Sequence, residues 1–567
     1  MRKLLRTGAV LLAAAAGAAR GACTPLADPI PGPIPASPYT VRLADVVSTL
    51  VFPVDVAEPP DGSGRLFVTE RAGRVRVIRN GTLLAPPFLD ISATTTLDAG
   101  SAMSSLAFHP DFAVAGSAGE RKLYTVSQEP PGSGVADFGA LSPVAHQSVV
   151  YEWRASASNP DLVDPASRRE VLRVNSKSTV HNVDELVFGP DRYLYLSKGD
   201  DDMTASGVID GTQVDGSILR IDPSNPGPNG KYGVPAGNPF LGPDPRLDEL
   251  WAYGFRNPWR LSFDRNNDLL YATDIGEDDI EEVDVIEPGR YYGWIDKEGR
   301  FAFLDFNGVT NDPSCLPPGF NGADPIAQYD HSQGDQSITG GVVYRGTLLR
   351  PLIGHYIFSD YVSGRLFEMA PNTGLIRLLA IDAAGAALGP GVITVAEDAA
   401  GELLLVTGQT LTPTGRLTRV VALSSTAPPP PPAVPGTSGA AAQRVAKLDA
   451  TGSSLSISWD STQCEARGYQ FLYGGRADLP ASPGGSYGLD GARCDIGITS
   501  PFFWRNVPSA GDASGLLWWV IVAHDAASTE GSWGKRSGGA ERNGPGPGGV
   551  SQQCGMTAKS VASACGS

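Results

Sequence analysis

An all-β molecule, a six-bladed β-propeller followed by a small β-sandwich, is the fold class this sequence predicts, and three observations predict it. Glycine (68) and proline (47) make up about a fifth of the 567 residues, which favours short strands and tight turns over long helices. One turn-strand unit recurs six times between Tyr39 and Leu423, with cores at Leu66 to Glu70, Leu123 to Ser127, Leu194 to Ser197, Leu270 to Asp274, Tyr356 to Asp360 and Leu403 to Thr407. The texture then breaks at an unbroken proline run, Pro428 to Pro432, beyond which short alternating strands resume. The repeats lie roughly 45 to 85 residues apart, a divergent period with long insertions. Six such units suit four-stranded sheets arranged around a central channel, and a large ordinary sandwich or barrel is the alternative.

At the N-terminus, Arg2, Lys3 and Arg6 precede an apolar core from Ala9 to Ala16 and a run of small residues. That order predicts an export signal over residues 1–22 and a periplasmic or secreted protein. Cys23 raises the alternative of a lipid anchor, against which Arg20 stands where an aliphatic residue is wanted. No other run is long and apolar enough to predict a membrane span. The formal charge of −17 argues against nucleic acid or an anionic membrane as partner, because phosphate binding needs clustered Lys and Arg. Small neutral or cationic ligands remain open.

The propeller is expected over 39–424 and a semi-rigid proline-rich linker over 425–442. Residues 443–567 read as a fibronectin type III-like sandwich. In it, Leu455 to Trp459 and Tyr469 to Tyr473 alternate as half-buried strands, and the apolar run Leu516 to Ala523 suits a central strand. The tryptophans of this region (Trp459, Trp504, Trp518, Trp519, Trp533) suit core packing, with a stacking platform for sugar rings as the alternative. Four of the six cysteines lie here, and an exported chain predicts disulfides, with Cys464 to Cys494 and Cys554 to Cys565 the preferred pairing.

The stretch from His181 to Asp200 carries the chemistry. Two short strands joined by Gly189-Pro190-Asp191-Arg192 form a hairpin, with His181 entering the first and Asp200 leaving the second. Antiparallel pairing brings the imidazole and the carboxylate to the same end, where one orients the other as a base. A lone histidine is more often structural, so spacing by itself does not decide between these roles.

The pattern His-x-x-x-x-Leu-x-x-Gly-Pro-Asp-x-x-x-Tyr-x-x-x-Gly-Asp resembles the central motif of the soluble quinoprotein sugar dehydrogenases, the glucose/sorbosone dehydrogenase family. Further stretches similar to that family's motifs follow its order: Leu106 to Phe112, Glu249 to Arg260, Tyr292 to Trp294, Ser337 to Gly346 and Phe358 to Leu366. The resemblance implies an oxidoreductase that oxidises an aldose-type sugar at its anomeric carbon. Hydride passes to pyrroloquinoline quinone (PQQ), held with Ca²⁺ at the channel mouth, and the reduced quinone then gives its electrons to an external electron acceptor. It further implies His181 as base, Asp200 as its orienter, Arg256 and Asn257 against the quinone, and Arg345 and Arg365 facing its carboxylates. Gly276 and Glu277 would supply carbonyl oxygens to the metal; the acidic run Glu277 to Glu282 has a solvated loop as its alternative. Three stretches depart from the family pattern: Val183 and Asp184 replace glycines after the histidine, Gly100 to Ser105 lacks the usual Gln or Glu, and Glu277 replaces a Gln or Asn. Two other functions stay in view: a non-catalytic propeller acting as an extracellular binding or adhesion module, and a Ca²⁺-dependent lactonase, for which clustered inward carboxylates are not evident.

Overall fold

The structure, a computed structural model, describes residues 23–422 apart from short gaps at 99–101, 140–141, 203–207, 209, 372 and 410–411, and discontinuous pieces between 444 and 559. The export signal, the proline-rich linker, Gly100, Ser101, Cys464 and Cys565 lie outside the described residues. Nearly every described element is a strand, the helical ones being short 3-10 turns.

Antiparallel sheets follow one another along the chain. The first begins with Pro53–Ala57, Leu66–Glu70 and Arg74–Arg79, and the second is Met103–Phe108, Lys122–Glu129, His146–Ala155 and Val163–Ser176. Val183–Phe188, Leu194–Lys198, Ser217–Ile221 and Leu250–Tyr253 make the third, and Pro258–Phe263, Leu270–Asp274, Ile280–Ile286 and Ala327–Asp330 the fourth. The remaining strands form one eight-stranded sheet. In its first half Ile338–Val343, Tyr356–Asp360, Leu366–Ala370 and Leu375–Ile381 are neighbours; in its second half Val392–Glu397, Leu403–Gln409, Thr412–Ala422 and Ala36–Leu50 are. The halves meet where Leu375–Ile381 runs parallel to Ala36–Leu50. Each core of the sequence repeat is the second strand of one such meander.

The first strands of these meanders pack in cyclic order, Val392–Glu397 returning to Pro53–Ala57. Apolar clusters fill the spaces between successive sheets. Phe67, Val149 and Trp153 join the first two, Tyr124, Val183 and Leu186 the next pair, Tyr195, Leu261 and Tyr292 the third and fourth, and Val68, Leu404 and Val406 the last and the first. The second strands are buried on both faces, and this is why they read as near-continuous apolar runs.

Arg260 crosses the ring. It is 4% exposed and donates to the carbonyls of Asp184 (3.0 Å) and Val54 (2.8 Å) and to Thr394 Oγ1 (3.0 Å), while pairing with Glu185 at 2.8 Å. One guanidinium thus ties the first strands of four meanders together.

Beyond the linker, Arg444–Lys447, Ser454–Ser458 and Phe502–Arg505 form one sheet. Gly491–Arg493, Gly468–Gly475, Leu517–His524, Thr529–Glu530 and Ala558–Lys559 form another. Ile457, Phe471, Phe502, Trp504 and Ile521 share a core between them. Leu517–His524 is central, as its apolar run predicts, and Trp459, Trp504 and Trp533 are buried. The expected disulfides are corrected: Cys494 bonds Cys554, with Cα atoms 5.4 Å apart, because the fold joins loops rather than neighbours in sequence. Cys23 bonds Cys315, with Cα atoms 6.2 Å apart. Its sulfur is therefore taken, which overturns the lipid-anchor alternative. No helix among the described residues is long and apolar enough to cross a membrane.

Candidate active site

The hairpin forms as its turn residues require. Phe188 pairs with Leu194 and Val183 with Lys198, and Gly189 N donates to Tyr193 O at 3.0 Å. His181 just before it and Asp200 just after it meet with Nδ1 2.5 Å from Oδ1. Asp200 is buried, and its Oδ2 accepts from Trp294 Nε1 at 2.7 Å. Burial alone would raise this carboxyl, but the hydrogen bond and charge of His181, with Arg256 and Trp294, hold it below the usual value. An ionised carboxylate only accepts, so Nδ1 carries a proton toward it, and the lone pair of the neutral tautomer falls on Nε2.

The imidazole is set from behind. His181 has φ of 57°, in the left-handed region. Lys198, fully buried, donates to the carbonyls of His181 and Gly199 at 2.9 Å each and pairs with Asp215 at 3.2 Å. A Cβ on Gly199 would lie 2.6 Å from His181 Cβ and 2.8 Å from Asn257 Oδ1. Only glycine leaves room for the dyad.

His181 opens onto a cavity of about 350 Å³ at one end of the ring. Arg71, Gln128, Asn182, Asp184, Arg256 and Asn257 line it with His181, and Trp259, Ile275, Tyr361 and Ile393 give it apolar walls. Arg256 donates to Ile275 O at 2.9 Å and is ion-paired with Glu277. Asn257 Oδ1 is buried and has no hydrogen-bond partner among the described residues. The structure thus brings His181, Asp200, Arg256 and Asn257 together. It does not bring Arg345 there: that side chain lies beyond the far end of Ile338–Val343 and grips Asp264 at 2.8 and 2.6 Å. Arg365 is bound by Asp335 and sits over the Phe367 ring at 5.3 Å, and it does not line the cavity. The expected convergence of three arginines is corrected to Arg256 with Arg71. Sequence reading missed Arg71 and Gln128. Gln128 Oε1 accepts from Ala102 N at 2.8 Å, which places an amide beside the very stretch that lacks one, and its Nε2 has no partner among the described residues.

Gly276 and Glu277 follow Leu270–Asp274, next to cavity-lining Ile275. The backbone N–H groups of Glu277, Asp278, Asp279 and Ile280 converge on Glu298 Oε1 at 2.9 to 3.1 Å. A Cβ on Gly276 would overlap the Ile280 carbonyl. Among the described residues the Gly276 and Glu277 carbonyls accept no hydrogen bond, which leaves both oxygens open to a hard cation. No group of three His, Cys, Asp or Glu side chains able to hold a metal is found among the described residues. The acidic run is not a solvated loop: Ile280–Ile286 is a strand, and fully buried Glu281 holds His331 Nε2 at 2.8 Å and Ile338 N at 2.9 Å.

The cavity's volume falls within the roughly 300–1,000 Å³ of small-molecule sites. Two guanidiniums, one imidazole and the open amide groups of Asn257 and Gln128 fit a planar polyanionic quinone in size and polarity.

The family model for glucose/sorbosone dehydrogenase matches residues 50–416. HIPL2 protein of Arabidopsis thaliana is 30% identical over 362 residues, covering 54% of this chain and 50% of that protein. Human Hedgehog-interacting protein is 28% identical over 407 residues, covering 67% of this chain and 52% of its own. The chain therefore spans about half the length of these relatives. A solved glucose dehydrogenase, at 19% identity and a TM-score of 0.53, matches 68% of this chain and 99% of its own, which shows the fold it shares.

Proposed function

The chain belongs to the glucose/sorbosone dehydrogenase family, and from that premise we propose that it oxidises an aldose-type sugar at the anomeric carbon with His181 as general base. The observation that carries this reading is the His181–Asp200 pair, fixed by Trp294 and opening on a polar cavity. Bound PQQ would supply the hydride acceptor and pass its electrons to an external acceptor. His181 Nε2 takes the proton of the sugar hydroxyl, and Asp200 steadies the imidazolium that results. Arg71, Arg256 and Asn257 hold and orient the anionic ring system, and the apolar walls exclude water. Ca²⁺ would rest on the Gly276 and Glu277 carbonyls. We further read the meanders as six blades, the eight-stranded sheet counting as two, and the last domain as fibronectin type III-like from its three- and five-stranded sheets. Disulfides support an exported protein.

A second reading is a binding module outside the cell. It is favoured by Arg345 and Arg365 being tied to Asp264 and Asp335, and by the likeness to a protein named for interacting with Hedgehog. One experiment separates the two. With PQQ and Ca²⁺ the full chain should shift the quinone absorbance and reduce an artificial dye with aldoses. His181→Ala should keep the shift and lose dye reduction by about 10²-fold or more. A wild-type chain that does neither over a broad sugar panel sinks the dehydrogenase reading.

A further inference from the structure

Asp184 is one of the two residues after His181 that depart from the pattern the sequence resembles, and the proposed chemistry does not use it. It is 4% exposed and lines the cavity that His181 opens on. Its carboxyl accepts no hydrogen bond from any described residue; only its backbone carbonyl is engaged, by Arg260 at 3.0 Å. A carboxyl enclosed in this way, without a donor, is costly as an anion and needs a partner in its ligand.

We propose that Asp184 enters the loaded state as an uncharged acid that donates a hydrogen bond to an anionic cofactor, so that filling the cavity takes up one proton from solvent. The inference rests on the quinone reading of the site. Beside a ligand bearing several carboxylates, an ionised Asp184 would add like charge in a low-dielectric enclosure, whereas the protonated form adds a donor. Burial, outweighing the attraction of the Arg260 and Lys198 cations, already pushes this carboxyl up to about 7. The other titratable and charged groups around it are His181, Arg71 and Arg256 in the cavity, and Glu185 and Asp55 behind, each with an oxygen 3.0 Å from Ser105 Oγ. A quinone further raises Asp184; a cationic ligand would lower it. Loading of an anionic cofactor is thereby biased toward acidic surroundings.

The test is PQQ binding, read by quinone absorbance and by calorimetry, on the full chain with Ca²⁺ at several pH values. Wild-type affinity should fall by about tenfold per pH unit above neutrality, as the competent protonated fraction falls. Calorimetry in two buffers of different ionisation enthalpy should show about one more proton taken up by wild type than by Asp184→Asn at about pH 8. Asp184→Asn, close to isosteric, should bind at high pH as tightly as wild type does at low pH; Asp184→Gly, which removes the side chain, should likewise lose the pH dependence and confirms that the effect is not misfolding. Equal pH slopes and equal proton uptake in wild type and Asp184→Asn overturn the proposal while leaving the quinone reading intact. Binding by Asp184→Asn but by wild type at no pH also overturns it, since Asp184 would then be an excluded charge rather than a donor. Absence of binding by all three proteins removes the quinone reading and this inference with it.

Discussion

Lys198 is a charged side chain with none of its surface exposed, and its two carbonyl contacts fall on the residues that shape the dyad. Replacing it with Met should leave those carbonyls unsatisfied, at a cost on the order of 1–3 kcal/mol each. Thermal unfolding should show the loss, and turnover should fall with a displaced pH profile while KM holds. Asp200→Asn should lower kcat by about 10²–10⁴-fold, because an amide does not hold Nδ1 as the donor, with quinone binding retained in an absorbance titration. Buried acids set the pH response of the whole fold. Burial pushes Glu185 up to about 8, and Glu298 and Glu397 up to about 7. Acids raised in the folded state give stability that is full below their unfolded values and is lost as pH rises through the folded ones. Buried His109 and His146, lowered to about 4 by burial, act oppositely and lose stability as pH falls below about 6.5. Melting temperature should therefore peak in mildly acidic buffer and fall toward pH 8, and Glu185→Gln should flatten the alkaline limb. The dyad was legible in the sequence because both its residues belong to one hairpin. Arg345 and Arg365 were not, because Asp264 and Asp335, which claim them, come from other loops.

Among the elements, the second strands announced themselves and the first strands did not. A second strand is sandwiched between neighbouring sheets and can be apolar throughout, as in Tyr356–Asp360. A first strand borders the channel and must carry polar groups such as Ser104, Asp184, Arg260 and Thr394, which break the apolar run. The loop after Leu270–Asp274 shows what an acidic run hides. Four amides around one carboxylate oxygen make a compact turn, and Gly276 meets the Ile280 carbonyl too closely for any side chain. Gly276→Ala should unseat this turn, lower the Ca²⁺ dependence of PQQ binding, and leave the far meanders folded by circular dichroism.

For the molecule as a whole, stability is divided among the interfaces between sheets, each with its own apolar cluster. The Cys23–Cys315 bond fastens the N-terminal segment, whose Leu26 N also donates to Val309 O at 2.8 Å. Cys315→Ser should cost about 2–4 kcal/mol in denaturant unfolding, and reduction of the wild type, which also opens Cys494–Cys554, should cost at least as much. The repeats favoured a propeller over a large sandwich or barrel, but the seam of the ring was not legible, because pairing between Ala36–Leu50 and Thr412–Ala422 has no short-range signal. That seam sets an order of events during synthesis. Of the ring's strands, the one that closes the circle is the first to be synthesised and its partner the last, so the first one waits, edge bare, through translation of everything between. A chain released before Thr412 holds every ingredient of the ring except the one that shuts it, and should be cleared by proteases or clump rather than persist as a smaller ring.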